Sequence, residues 1–321
     1  MKKPLKITLI SFGTVIALVG VTLATTSIAN VVLTNKEVAE LEPYGQLVDV
    51  DGKKMNVAIF GEGDEAIVLT PGAGTASPVA DFAPVINGLK DEYRLIVVEP
   101  FGYGLSDQAD SPRTTENIVR EIHEAVASVG AERYVLMGHS ITGLYGLKYA
   151  NTYPDEVTAF VGIDTSVPEQ PGMDQVPGII KVAPALRGLG LLRIATSGED
   201  PLAGNPAYNE TDLERMRVLA MRNTMAPNYI DEVNMLGRNF AEAQGSTFPK
   251  ELPILLMYQA NNPAFPTWGA MHEAQAATVD FAVTHEIDAD HYLHHTKSDE
   301  VVAYTKDFLS NLPTPAGVIS E

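Results

Sequence analysis

One short segment, residues 138–143 with the sequence GHSITG, carries the residue types that covalent catalysis at a serine requires. It follows an apolar run at residues 134–137 that is typical of a buried strand, and a helical pattern begins directly after it. A sharp turn between a strand and a helix lifts a serine hydroxyl above the sheet, and small neighbouring residues let the turn close. We therefore predict that Ser140 is a nucleophile. The alternative is an ordinary strand-to-helix turn that contains a serine.

Four histidines gather near the C-terminal end of the chain, and histidine is the usual base for a serine nucleophile. They are His285, His291, His294 and His295. Histidine and aspartate are also metal ligands, so a metal site is the alternative interpretation of this cluster. The helical His-Glu-x-x-His pattern does not occur here, and we therefore predict that no metal is bound.

Short apolar runs alternate with helical patterns along most of the chain after residue 46. The predicted strands are residues 47–50, 55–60, 66–69, 94–98, 134–137, 159–163, 253–258 and 281–286. Buried strands that alternate with helices predict an α/β fold with a mainly parallel sheet covered on both faces. Thr114 is placed to cap a helix that carries Ile118, Ile122 and Ala125 on one face.

This alternation stops after Asp164 and resumes only near residue 253. The intervening residues are rich in Pro and Gly, and they include helical stretches at 212–222 and 229–243 without a strong strand pattern. We predict a helical lid at about residues 166–250, above one edge of the sheet. Its methionines suit the lining of an acyl-chain pocket, although plain core packing is the alternative. These methionines are Met216, Met221, Met225 and Met235.

Together these patterns resemble the α/β-hydrolase superfamily, whose nucleophile pattern is G-x-S-x-G. The resemblance extends from about residue 46 to the C-terminal end and implies an eight-stranded type of sheet. The chain departs from the pattern at Thr142, which replaces the last glycine and is followed by Gly143. Threonine is still short, so the turn is expected to be strained but possible.

The resemblance also assigns an oxyanion site. Residues 70–75, TPGAGT, stand where the family has its glycine-rich oxyanion loop, with Pro71 in place of a common histidine. The backbone N–H groups of Ala73 and Ile141 would be the donors, so the change at Pro71 need not matter. A glycine-rich turn without this role is the alternative.

The base and the acid follow from the same resemblance. Residues 290–294, DHYLH, resemble the family's terminal histidine loop and select His291 as the base. The family often has its acid after the strand that ends here at Tyr258, but this chain has Asn261 and Asn262 there. An amide cannot stabilise an imidazolium as a carboxylate does.

Some members of the superfamily carry the acid one strand earlier, and Asp164 stands at that strand end. We therefore predict that Asp164 is the triad acid. A loop-capping aspartate is the alternative for this residue, since Asp is frequent at strand ends. Asp288 and Asp290, on the histidine loop itself, are the remaining candidates.

The N-terminal segment predicts a membrane anchor. Lys2, Lys3 and Lys6 precede an uncharged and mostly apolar run at residues 7–35, so the N-terminus should remain cytoplasmic. We predict an anchor at residues 1–35, a polar linker at 36–43, and a hydrolase domain that occupies residues 36–321 outside a cell membrane crossed once. The alternative is a cleaved signal peptide and a secreted protein, because residues 27–29 resemble a cleavage site.

The overall composition excludes several classes of protein. The chain has 22 Lys and Arg against 41 Asp and Glu, a net charge of −19, which argues against binding to nucleic-acid phosphates. The chain contains no cysteine, so disulfides, thiolate metal sites and a cysteine nucleophile are excluded.

The resemblance implies a serine hydrolase of carboxylesterase or lipase type. It would cleave an ester, or less readily an amide, of a small or acyl substrate through an acyl-enzyme without a cofactor. A serine at residue 140 argues against epoxide hydrolase and dehalogenase chemistry, which use Asp there in similar folds. The alternatives are a surface binding or receptor-type protein with little turnover and an aminopeptidase-like serine peptidase. A peptidase would need Glu199, Asp200 or Glu210 to hold the substrate's amine.

Overall fold

The computed structural model describes residues 3–195 and 202–313, with side chains described from residue 13 onward. An eight-stranded sheet forms its centre. The strands are β1 (Gln46–Val50), β2 (Lys53–Phe60), β3 (Ala66–Thr70), β4 (Arg94–Glu99), β5 (Tyr134–His139), β6 (Val157–Ile163), β7 (Ile254–Gln259) and β8 (Ala282–Ile287). Their order across the sheet is β1-β2-β4-β3-β5-β6-β7-β8. The pairs β1–β2 and β2–β4 are antiparallel and the other pairs are parallel, which confirms the predicted fold class.

The central strands are mostly apolar because both faces of the sheet are covered. In β5, Leu136 packs into a core cluster on one face, whereas Val135 and Met137 pack into a second cluster on the other face. Successive side chains of a strand point to opposite faces, so a strand buried on both sides is apolar at successive positions through its middle.

Helices cover both faces of the sheet. Those outside the region between β6 and β7 are α1 (Lys3–Glu40), α2 (Pro78–Asp81), α3 (Ala83–Leu89), α4 (Thr115–Ser128), α5 (Thr142–Thr152), α10 (Trp268–Ala276), α11 (Leu293–Thr296) and α12 (Ser298–Ser310). The side chain of Thr114 accepts a hydrogen bond from the N–H of Asn117, so it caps α4 as expected. Ile118 and Ile122 of this helix are buried.

Between β6 and β7 the described residues form helices and connecting turns, and we call this region the insertion. Its helices are a 3-10 helix (Gly178–Lys181), α6 (Ala183–Gly188), α7 (Leu191–Ala195), α8 (Glu210–Asn223) and α9 (Pro227–Ala243). Asn209 begins α8 with a capping box, in which its side chain and that of Asp212 each accept the other residue's backbone N–H.

The N-terminal helix α1 is longer than the sequence predicted, since it runs through the expected linker to Glu40. Tertiary contacts explain the difference. Glu37 pairs with Arg193 and Arg217 of the insertion at 2.8 and 3.7 Å, and Val38 packs near the buried Leu219. The part of this helix from Gly13 onward is long and apolar enough to cross a membrane, with a mean hydropathy of 2.0.

Candidate active site

Ser140 occupies the tight turn between β5 and α5, with a φ of +54°. A positive φ is unfavourable for a residue with a side chain, so surrounding contacts must hold the turn. The N–H of Ser140 donates to the carbonyl of Ile163 at 3.1 Å, and its carbonyl accepts the N–H of Ser166 at 2.8 Å. The end of β6 and the residues after it therefore fix the backbone that presents the serine hydroxyl.

Thr142, the departure from the glycine pattern, is accommodated by a polar contact. Its buried Oγ1 lies 3.0 Å from the carbonyl oxygen of Pro71 and 3.2 Å from that of Thr70. Glycine is required at the next position instead, because a Cβ at Gly143 would lie 1.9 Å from the carbonyl oxygen of Ser166. Thr142 thus ties the serine turn to the loop after β3.

His291 lies in the loop between β8 and α11 and contacts both other predicted triad residues. Its Nε2 is 3.0 Å from Ser140 Oγ, and its Nδ1 is 2.6 Å from Asp164 Oδ2. Its backbone carbonyl lies 3.1 Å from Nε2 of His139. Burial lowers the pKa of His139, so this neutral ring carries its proton on Nε2 and donates to His291. Sequence reasoning missed this support.

Asp164 is fully buried at the end of β6. Besides His291, it has two further partners. Its Oδ1 accepts the backbone N–H of Gln259 at 2.9 Å and the indole N–H of Trp268 at 2.7 Å. Donors therefore surround both carboxyl oxygens, an arrangement that suits an acceptor-only carboxylate.

Among the described residues, the other candidate acids make no hydrogen bond to His291, although Asp290 and Asn262 line the same cavity as Ser140. Asp288 and Asp290 are exposed on the histidine loop. Asn262 closes its own turn, since its Oδ1 accepts the N–H groups of Ala264 and Phe265 at 3.0 Å. Asp164 therefore contacts His291, whereas Asn262 bonds within its own turn.

Ala73 and Ile141 lie beside Ser140 and His291 on the wall of one cavity. Among the described residues, no protein acceptor takes a hydrogen bond from either backbone N–H. Close packing explains one glycine of the loop, since a Cβ at Gly72 would lie 2.6 Å from His139 Nδ1. Two unpaired amides beside a serine hydroxyl suit the binding of an oxyanion.

A buried polar network lies behind residues 70–75, the predicted oxyanion loop. Tyr103 accepts the N–H of Gly74 at 3.0 Å and donates its own hydroxyl proton to Glu232 at 2.5 Å. Tyr145 donates to the other oxygen of Glu232 at 2.6 Å. Burial raises the pKa of Glu232, and the two tyrosine hydrogen bonds partly offset this effect. Glu232 belongs to α9, so the insertion contacts the oxyanion loop through Tyr103.

The cavity at Ser140 has a volume of about 460 Å³, which is within the usual range for small-molecule sites. Its wall is largely apolar away from the polar residues described above. The lining residues are Ala73, Ser140, Ile141, Ser166, Gln170, Met173, Leu236, Gln259, Asn262, Pro263, Ala264, Phe265, Trp268, Asp290 and His291.

The methionines and acids proposed for the lid have other positions. Met216 lines a neighbouring cavity of about 240 Å³, whereas the insertion residues that line the Ser140 cavity are Ser166, Gln170, Met173 and Leu236. Glu210 is exposed at the start of α8. Glu199 and Asp200 lie outside the described residues.

The remaining histidines have partners of their own. His285 stacks on Tyr304 with 3.7 Å between ring centroids. His294 and His295 each approach Asp81 of α2 at 2.8 Å through Nε2. Burial favours the neutral form of Asp81, but charge attraction and hydrogen bonds from the two histidines outweigh it and lower its pKa. These three residues also have the donor types of a metal site, with ligand atoms within 4.8 Å of one another. In the structure they bond to one another and join the histidine loop to α2.

Comparison with known proteins places the chain in a family. The chain is 26% identical to the uncharacterized protein YbdG of Bacillus subtilis strain 168 over 323 residues, which cover 96% of this chain and 97% of the relative. It is 22% identical to the cis-3-alkyl-4-alkyloxetan-2-one decarboxylase of Shewanella oneidensis MR-1 over 83% of this chain and 88% of the relative. The crystal structure of the enol-lactonase from Burkholderia xenovorans LB400 has a TM-score of 0.64 and 20% identity, covering 83% of this chain and 100% of that one.

A family model supplies the decisive match. The model described as the alpha/beta hydrolase family matches residues 67–304, which include β3 to β8 and every residue of the candidate triad. The chain therefore belongs to the alpha/beta hydrolase family.

Proposed function

We propose that this protein is a serine hydrolase that cleaves an ester, or less readily an amide, through an acyl-enzyme. The observation that carries the proposal is the continuous set of hydrogen bonds from Ser140 through His291 to Asp164, at the wall of a cavity. Ser140, His291 and Asp164 have the donor and acceptor types that this chemistry requires, in the necessary order.

In the first step Ser140 Oγ attacks the carbonyl carbon of the substrate, and His291 Nε2 takes the hydroxyl proton. The carboxylate of Asp164 stabilises the imidazolium and keeps the Nδ1 proton in place. The carbonyl oxygen becomes an oxyanion, which the amides of Ala73 and Ile141 are placed to bind. His291 then donates its proton to the departing alcohol.

The second step repeats this chemistry with water. His291 removes a proton from a water molecule, the resulting hydroxide attacks the acyl carbon, and the acid departs as Ser140 recovers its proton. All proton transfers occur at one nitrogen, which explains why the Nδ1 side of the ring must remain bonded to Asp164.

The alternative of a binding protein without turnover depended on the lack of an acid near Asn261 and Asn262. A carboxylate oxygen, Oδ2 of Asp164, lies 2.6 Å from the Nδ1 of His291, which counts against that argument. The arrangement therefore favours a hydrolase over a receptor-type protein.

We further propose that α1 anchors the enzyme in a cell membrane, with the catalytic domain on the outer side and the insertion as a lid over the cavity. The unbroken apolar stretch of α1 and the N-terminal lysines support this topology. A small-molecule ester or acyl compound would be the substrate.

The test is covalent labelling of the full chain in detergent with a fluorophosphonate, followed by peptide mapping. We expect one adduct on Ser140, its loss in Ser140→Ala, and its persistence in the matched control Ser166→Ala, which changes another serine of the same cavity. Absence of an adduct on folded protein would refute the proposal and favour the binding-protein alternative.

A further inference from the structure

Helix α1 packs directly on the insertion, instead of leaving the domain as a free tether. The hydroxyls of Thr26 and Ser27 donate to the carbonyls of Leu189 and Gly188, at 2.8 and 2.6 Å. The two backbones approach so closely at Gly190 that a Cβ there would lie 2.6 Å from the carbonyl oxygen of Thr26. The turn between α6 and α7 therefore packs directly against α1.

A second contact lies further along the same helix. Arg193 of α7 forms a bidentate salt bridge to Glu37, with distances of 2.8 and 2.9 Å. It also donates a hydrogen bond to Thr34 Oγ1 at 2.9 Å. Contacts from residue 26 to residue 37 span three helical turns, or about 16 Å along the axis. The orientation of α1 relative to the insertion is thus fixed over this length.

The opposite side of α1 is apolar and exposed at the same level. Ile28 is 66% exposed, Val31 56% and Val32 59%. A hydrocarbon core of about 30 Å corresponds to about 20 helical residues. If the hydrocarbon core begins at residue 7, it ends near residue 26. If the core ends at Leu33, it begins near residue 14. In the first case the contact with the insertion begins at the outer boundary of the hydrocarbon core and extends beyond it, and in the second case the N-terminal part of the contact lies inside the core.

The insertion also has exposed apolar side chains, at residues 176–182. Ile179 is 47% exposed and Val182 50%, with the exposed Lys181 between them, and Val176 is also exposed. Exposed apolar side chains with a nearby lysine are typical of segments that lie in a membrane interface. Met173, shortly before these residues in the chain, lines the Ser140 cavity.

We propose that residues 176–194 lie in the outer interface of the membrane, and that the Ser140 cavity receives its substrate from the bilayer. The substrate is then an amphiphilic ester with a long acyl chain, which water cleaves to a fatty acid and an alcohol. This inference depends on the proposed function for its chemistry and on α1 as an uncleaved anchor for its geometry.

The position of the segment is tested first, and independently of turnover. The chain has no cysteine, so Ile179→Cys and Val182→Cys each give a single labelling site for a bimane fluorophore. The full chain is placed in phosphatidylcholine vesicles that contain nitroxide-labelled phospholipid. We expect more than half of the fluorescence at both sites to be quenched. The control Asp91→Cys, exposed just before β4 at the opposite end of the strands from Ser140, should be quenched by less than a tenth. Equal quenching at all three sites would overturn the proposal.

The substrate class is tested with the double variant Ile179→Glu, Val182→Glu in the same vesicles. We expect hydrolysis of vesicle-borne p-nitrophenyl palmitate to fall at least tenfold, while hydrolysis of soluble p-nitrophenyl acetate changes less than twofold. Equal effects on the two esters, or no effect on either, would overturn the membrane route. Acetate hydrolysis that persists in Ser140→Ala would instead refute the serine mechanism, and the quenching result would be unaffected by that failure.

Discussion

The substitution Asp164→Asn tests the triad most directly, because the surroundings of Asp164 fix the orientation of the new amide. Two donors, the N–H of Gln259 and the indole N–H of Trp268, point at Oδ1. The amide oxygen of Asn must occupy this position, since an amide NH2 there would face two donors. The NH2 group is therefore directed at His291, where the carboxylate oxygen was.

This orientation reverses the proton positions on the imidazole. The Asn NH2 donates to Nδ1 of His291, so Nδ1 must be unprotonated and the ring proton moves to Nε2. Nε2 lies 3.0 Å from Ser140 Oγ and would then donate to the hydroxyl that it should deprotonate. A triad with the wrong tautomer loses about 10⁴ in kcat, or roughly 5 kcal/mol of transition-state stabilisation.

The assay is steady-state hydrolysis of p-nitrophenyl acetate by the full chain, with Ser140→Ala as the background. We expect kcat to fall about 10⁴-fold with little change in KM, because the cavity wall keeps its shape. The matched control is Asp288→Asn, which makes the same chemical change on the exposed part of the histidine loop and should leave kcat within twofold. A variant that retains more than a tenth of the wild-type kcat would refute Asp164 as the acid.

Three further substitutions test the groups around the triad. Tyr103→Phe removes the acceptor for the N–H of Gly74, and we expect about a tenfold lower kcat at unchanged KM in the same assay. Trp268→Phe removes one of the three donors to Asp164 and should lower kcat about tenfold without loss of fold by circular dichroism. Asp81→Asn should lower the melting temperature at pH 7, because it removes the carboxylate that accepts hydrogen bonds from His294 and His295, and a hydrogen bond to a charged group contributes about 1.5–3 kcal/mol. Because the folded-state pKa of Asp81 is lowered, its contribution is complete above the unfolded pKa of about 4 and is lost as pH falls through the folded-state pKa, so wild type and variant should converge in acid.

The sheet and the serine turn were predictable because their signals are local. Each central strand is a short apolar run bounded by turn residues, and the run before Ser140 leads directly into the small residues of the turn. The choice of Asp164 rested on the resemblance to superfamily members that carry the acid one strand earlier, at a strand end that this chain also has. In the structure β6 lies between β5 and β7, so this strand end is adjacent to the one that carries Ser140.

Contacts between distant parts of the chain were not predictable in this way. The polar composition of residues 36–43 suggested a linker, but ion pairs with residues more than 150 positions later keep α1 helical to Glu40. The supporting roles of His139 and Tyr103 depend on partners 152 and 129 residues away. Glu232 offered one signal, because it is an acid beside Val233 on a helix face that also carries the buried Phe240.

The insertion contacts the rest of the molecule differently along its two halves, and this difference predicts which half moves if the insertion acts as the proposed lid. In the α8–α9 half, Asn223 donates to the carbonyls of Ala76 and Gly104 at 2.9 Å, and Glu232 bonds to Tyr103. Movement of this half would break the network behind the oxyanion loop.

The half at residues 172–195 is bonded to α1 and, through Arg187, to the carbonyls of Arg222 and Thr224. Among the described residues, none of its hydrogen bonds goes to the candidate triad or to the loop after β3, so its displacement would leave those groups in place. We therefore expect amide hydrogen exchange in detergent to be faster at residues 172–189 than at residues 212–240. Equal protection in the two halves would contradict a lid that opens on the α1 side. Faster exchange in α8 and α9 would mean that substrate entry itself reorganises the oxyanion loop.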